Sequence, residues 1–161
     1  MTTEEATKVA ELLKDERTGL FTTIAPDGTL ISRPMAMQEV EFDGDLWFFA
    51  ERNSRKVQHI TANPQVNVST SGSSSWVSLT GHAVVLDDPE KKRTLWNAVV
   101  EAWFPDGPED PDVVLLRVDA ASAEYWDSPG GRLASVISFA KAKLTGQAYD
   151  GGENERVDLR G

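Results

Sequence analysis

At 161 residues, 40% of them hydrophobic and 26% charged, the chain has the size of one ordinary domain and enough apolar material to bury a core unaided. It contains no cysteine, which excludes a disulfide framework, a thiolate metal site and a cysteine nucleophile. The net charge of −10 argues against nucleic acid as a partner. A polar acidic start and the lack of any apolar run near the ~20 residues that span a bilayer point to no membrane and a cytoplasmic protein.

Residues 2–16 read as a helix, with Thr2 and Glu5 at capping-box spacing and Ala6, Val9, Ala10, Leu12 and Leu13 on one apolar face. Residues 20–25 are rich in strand formers, Asp27-Gly28 marks a hairpin turn, and 29–41 continue as a strand. Asp43-Gly44 is a second hairpin signal before the strand 46–50, so three strands are expected as an antiparallel meander. Residues 54–62 form a short helix capped by Ser54 and ended by Asn63-Pro64. Strands follow over 66–70 and 76–86. Asp88-Pro89 then opens a helix expected to run to about Trp103. The proline-rich stretch 104–112 is irregular. Two late strands are expected over 113–119 and 123–127, a loop over 128–131, a last helix over 132–144, and a mobile polar tail from Gly146.

No repeat or linker divides the chain, so residues 1–146 are expected as a single domain and 147–161 as a flexible tail. The fold class is mainly β with peripheral helices (α+β), antiparallel, with about six or seven strands. Short turns between so many strands point to a closed barrel, since closure removes exposed edges.

Three stretches carry candidate chemistry. The first ends a strand and starts a helix at Ser54-Arg55-Lys56, with Arg52 just before. A helix start presents free N–H groups and partial positive charge, which suits a phosphate, and no Lys or Arg follows from Val57 to Glu90. A capped helix with solvated cations explains the same residues equally well. The second is Ser32-Arg33-Pro34-Met35, where a proline inside a strand marks an edge or bulge. The third is Glu124-Tyr125-Trp126-Asp127-Ser128-Pro129, whose aromatics could border a flat heterocycle or simply pack in a core. His59 and His82 have no metal-ligand spacing, so no metal is expected.

In order and spacing these pieces, with Gly19-Leu20-Phe21-Thr22-Thr23-Ile24, Trp47-Phe48-Phe49-Ala50, Leu95-Trp96-Asn97 and Ala102-Trp103-Phe104-Pro105, resemble the pyridoxamine 5'-phosphate oxidase-like family, the FMN-binding split barrels, and within it the bacterial general stress proteins. The resemblance covers about residues 4–146. It implies an FMN phosphate held by Ser54, Arg55 and Lys56, and Arg33 reaching the flavin with Pro34 and Met35 along the ring. It also implies backbone contacts from Phe49 and Ala50, and Trp126 bordering the flavin. A homodimer with the flavin at the subunit interface is implied as well, and FAD or a deazaflavin would suit a similar phosphate site. The family's oxidases follow the late tryptophan with a loop and Arg-Leu-His-Asp-Arg. Here Arg132-Leu133 is followed by Ala134-Ser135-Val136, so the substrate-binding His and a flavin-contacting Arg are missing. What the resemblance then implies is a flavin-dependent oxidoreductase that is not a true pyridoxamine phosphate oxidase, exchanging hydride with a small molecule or nicotinamide donor. The rival expectations are a non-enzymatic flavin carrier or sensor in stress response, and a flavin-free dimeric β-domain.

Overall fold

A computed structural model describes residues 3–38, 42–128, 143 and 153–160. The helix expected over 132–144, with Arg132, lies outside these residues apart from Lys143, and so does the end of the strand expected over 29–41. Helix α1 (Thr3–Leu13) carries Glu4 and Glu5 in its first turn, where the helix dipole favours acid, and buries Val9 and Leu13, one turn apart. Strand β1 (Thr18–Ile24) alternates exposed and buried residues. It pairs along its whole length with β2 (Leu30–Ala36). The turn between them is built as its sequence predicts: Gly28 has φ 85°, and Thr29 N–H donates to Asp27 Oδ1 at 3.0 Å.

The second hairpin signal leads elsewhere. Gly44 does adopt φ 110°, but β3 (Asp45–Glu51) pairs antiparallel with β6 (Val113–Asp127) and not with β2. Turn chemistry bends a chain locally; which strand it then meets is settled by distant packing. β2 ends at Ala36, too far before β3 for a two-residue hairpin. Among the described residues the expected three-strand meander is therefore only a two-strand one.

After β3 come α2 (Arg55–Ala62), β4 (Gln65–Ser71) and β5 (Ser75–Leu86). The helix expected from 89 to 103 is two: α3 (Pro89–Leu95) and α4 (Ala98–Trp103). Asn97 breaks them apart, because its side chain accepts hydrogen bonds from the Val99 and Val100 N–H groups as the cap of α4. The two expected late strands are one, β6, whose pairing with β5 shifts register at Thr80/Gly81 and leaves Ala121 unmatched. Within the expected polar tail, Glu153–Asp158 form strand β7 on the free stretch of β6, with Val157 fully buried. One apolar side chain among charged ones is a weak sequence signal, and its burial is a tertiary event.

The strands hydrogen-bond in the order β2-β1-β4-β5-β6-β3, with β7 also on β6. Among the described residues the expected closed barrel is not formed. The sheet curls round its core, but its two end strands, β2 and β3, come near each other without pairing. Pro34 sits on β2, the edge position that a strand proline favours. Inside the curl, Phe21 and Phe48 meet edge to face at 5.0 Å. A smaller cluster outside β3 packs Phe49 against Leu95, Val100 and Trp96. β3 is thus apolar on both faces, which explains why Trp47-Phe48-Phe49-Ala50 does not alternate.

Candidate functional site

The open seam between β2 and β3 is where the predicted residues gather. Arg33, on β2, is the register partner of Phe21 and shares the inner face with Met35, while Pro34 and Ser32 face outward. Its Nη1 donates to Thr23 Oγ1 at 2.8 Å and to the Phe21 carbonyl at 3.4 Å. Burial first, and then the like charge of Arg55, push the Arg33 guanidinium below its ordinary value. Lys56 is half-buried and held below the usual lysine value by that burial, then by Arg33, with Glu51 opposing. Three cations from two elements therefore share one local field. Among the described residues no carboxylate lies within ion-pair distance of any of them.

The start of α2 is open as well. Ser54 occupies the cap position with extended backbone but makes no side-chain cap; its hydroxyl donates back to the Glu51 carbonyl at 2.7 Å. By contrast Asp88 and Asn97 cap α3 and α4 with their side chains. The first N–H groups of α2 thus keep their partial positive charge available beside the cations. β3 runs directly into this helix, and as the last strand of the sheet it has one edge without a strand partner among the described residues. Of two successive residues such as Phe49 and Ala50, one turns its N–H and C=O toward β6 and the other away. Their side chains are buried in the two apolar clusters, so only backbone can face a ligand.

The structure does not bring every predicted residue together. Arg52 belongs to the scaffold: its Nε donates to the Pro111 carbonyl at 2.8 Å, and its Nη2 to Asp87 Oδ2 at 2.6 Å. Met35 is 8% exposed and lies in the core. Trp126 is opposite Trp76 on the outer face of the sheet, in a groove of about 480 Å³ that also includes Leu20. Arg33 and Trp126 therefore lie on opposite faces of one chain. A further pocket of about 540 Å³, between α1 and β3, includes none of the three cations.

A family model described as "Pyridoxamine 5'-phosphate oxidase like" matches residues 4–150. The chain belongs to the pyridoxamine 5'-phosphate oxidase-like family. A crystal structure from Jannaschia sp. CCS1 superposes with a TM-score of 0.78 at 28% identity, covering 98% of this chain and all of the other. The general stress FMN/FAD binding protein of Xanthomonas citri is 30% identical, with a TM-score of 0.70, over 83% of this chain and 95% of its own. The protein bli-3 of Neurospora crassa is 32% identical over an alignment 131 residues long that covers 74% of this chain and only 63% of that protein. The likeness carries the split-barrel fold.

Sequence reasoning missed two residues at this site, Thr23 and His59, which stand behind Arg33. Thr23 Oγ1 lies 2.9 Å from His59 Nδ1, and both residues are buried. A hydroxyl at an inward position of a β-strand was the only signal available. Among the described residues no group of three or more His, Asp or Glu could hold a metal ion, and no helix is long and apolar enough to cross a membrane.

Proposed function

We propose that this protein binds a flavin mononucleotide by its phosphate at the start of α2 and works as a homodimer. The observation that carries the reading is the convergence of Arg33, Arg55 and Lys56, with no carboxylate in ion-pair distance among the described residues, on a helix start that lacks a side-chain cap. A dianionic phosphate fits that donor set: Arg can supply two parallel hydrogen bonds, and Lys a compact charge. The unpaired edge of β3 at Phe49–Ala50 supplies backbone polar groups suited to the rim of the ring. Since Arg33 and Trp126 lie on opposite faces, one flavin meets both only if Trp126 comes from a second copy. That geometry supports the dimer. The Xanthomonas citri relative is described as binding FMN or FAD, and FAD or a deazaflavin would present similar chemistry at the phosphate.

A bound flavin supplies hydride transfer, and the protein's part is position and electrostatics. We read the protein as a flavin-dependent oxidoreductase of the general stress branch and not as a pyridoxamine phosphate oxidase, because Ala134-Ser135-Val136 replaces the substrate-binding segment. The same loss supports the second reading, a flavin carrier or sensor without turnover. Reduction of the flavin-loaded protein by NADH or NADPH, and reoxidation by an acceptor over repeated cycles, is expected of the enzyme; a flavin that stays oxidised favours the carrier.

The binding claim is tested by titration with FMN. Arg55→Ala and Lys56→Ala are each expected to weaken binding by about 1.5–3 kcal/mol, the range for hydrogen bonds to charged groups. Unchanged affinity in both variants would place the phosphate elsewhere.

A further inference from the structure

Thr23 is fully buried and bridges two elements. Its Oγ1 lies 2.8 Å from Arg33 Nη1 on β2 and 2.9 Å from His59 Nδ1 on α2. A guanidinium only donates, so Thr23 Oγ1 accepts from Arg33. With His59 protonated on Nε2, the hydroxyl's own proton goes to His59 Nδ1, which accepts it. His59 is one turn beyond Arg55 on the same side of α2, and it is 8% exposed. Both protons of Arg33 Nη1 are used inside the protein, on Thr23 and on the Phe21 carbonyl. Its Nε and Nη2 protons have no acceptor among the described residues.

We propose that Thr23 and His59 are positioning residues for the anion cradle, a buried hydroxyl–imidazole pair that fixes the direction in which Arg33 presents its remaining donors. The proposal rests on the phosphate-site reading above. A long cation beside Arg55 would otherwise turn away from it, since like charges repel and an unheld Arg side chain keeps most of its rotamer freedom. The pair counters both tendencies by tying one end of the guanidinium to the wall of the sheet. It also ties α2 to β1, so the Arg55–Lys56 end of the helix and the Arg33 strand keep one spacing. A hydroxyl serving only as core filling would give a different result: its removal would alter stability and leave ligand preference unchanged.

FMN and riboflavin share the ring and ribityl chain and differ in the phosphate, so their affinity ratio isolates the cradle. The experiment measures both affinities by flavin fluorescence, with thermal melting as a check on folding, for the wild type, Thr23→Val, Thr23→Ser and His59→Leu. The wild type is expected to prefer FMN. Thr23→Val should lose about tenfold of that preference, the scale of one charge-assisted hydrogen bond, with riboflavin affinity unchanged. Thr23→Ser should restore the preference, and His59→Leu should reduce it in the same direction. A Thr23→Val or His59→Leu protein that folds and keeps the wild-type ratio overturns the proposal, as does a parallel loss of both affinities. If Thr23→Val fails to fold, His59→Leu decides by the same ratio. A wild type with no preference for FMN overturns the phosphate-site reading and this inference together; an intact wild-type preference with unmoved variants overturns the inference alone.

Discussion

Two residues show how little local chemistry it takes to set this site and its scaffold. At Ser54, a hydroxyl that turns back to the Glu51 carbonyl leaves the start of α2 without a side-chain cap. The helix forgoes the ~1 kcal/mol a good cap contributes and keeps its N–H groups for an anion. At Gly81 the scaffold depends on a missing atom. A Cβ there would lie 2.1 Å from the Asp119 carbonyl oxygen and 3.0 Å from the Ala120 Cα. Both are backbone atoms of the neighbouring strand and cannot swing aside. Gly81→Ala is accordingly expected to destabilise the fold by about 3 kcal/mol, the upper end for overpacking, as read by urea denaturation. A variant within experimental error of the wild type would show that β6 relaxes at Ala121.

Among the elements, β7 has the most to explain, because its sequence is almost wholly polar. It is held by a buried Val157, by ladder bonds to β6, and by the Tyr125 hydroxyl donating to Glu153 Oε1 at 2.8 Å. Nearby, Lys8 on α1 donates to Asp127 Oδ2 at 2.5 Å, so the first helix is fastened to the same end of β6. Burial, followed by the Glu153 hydrogen bond and charge, pushes the Tyr125 phenol up to about 12 from its ordinary 10. The sign follows from linkage. The folded state holds the phenolic proton more tightly than the unfolded chain, so this contribution is complete below pH 10 and is lost as pH rises through about 12. An alkaline titration followed by tyrosinate absorbance should show one late-ionising tyrosine, with loss of β7 pairing by hydrogen exchange in the same window. Tyr125→Phe should abolish the late step. If all tyrosine ionises near pH 10 while the fold is intact, the clasp is not formed in solution.

For the molecule as a whole, the decisive fact is that the sheet formed by the described residues does not close. Its two end strands leave a seam where backbone groups, three cations and a helix start are all available. On the opposite, outer face, Leu20, Trp76 and Trp126 are 50%, 45% and 40% exposed. Aromatic patches of this kind mark association surfaces in soluble proteins. Light scattering at micromolar concentration is expected to give the mass of a dimer, and Trp126→Glu to give a monomer with reduced flavin affinity. A wild-type monomer that binds flavin with full affinity would defeat the shared site.

Much of this was readable along the chain, and the boundary is physical. Hydrophobic alternation, the Asp27-Gly28 turn, the Asn63-Pro64 stop and the Ser54-Arg55-Lys56 helix start depend on neighbours in sequence. The strands β1 to β5, α2 and the cationic cluster could therefore be assigned from residue order. Even the edge position of Pro34 followed from its missing N–H. The rest depends on contacts between residues far apart. Asp43-Gly44 turns the chain as expected, but only packing sends β3 to β6. Arg52 reads like its basic neighbours until Asp87 and the Pro111 carbonyl claim it. Thr23 and His59 are ordinary residues 36 positions apart until the curl of the sheet sets one against the other behind Arg33. Sequence alone determined where the strands from β1 to β5 lie and where positive charge concentrates, because both are local sums over side chains, whereas β7 needed its partner β6 to become a strand. The tertiary structure alone decided which cations remain unpaired and on which face each aromatic lies, because pairing and facing are properties of strand order and register.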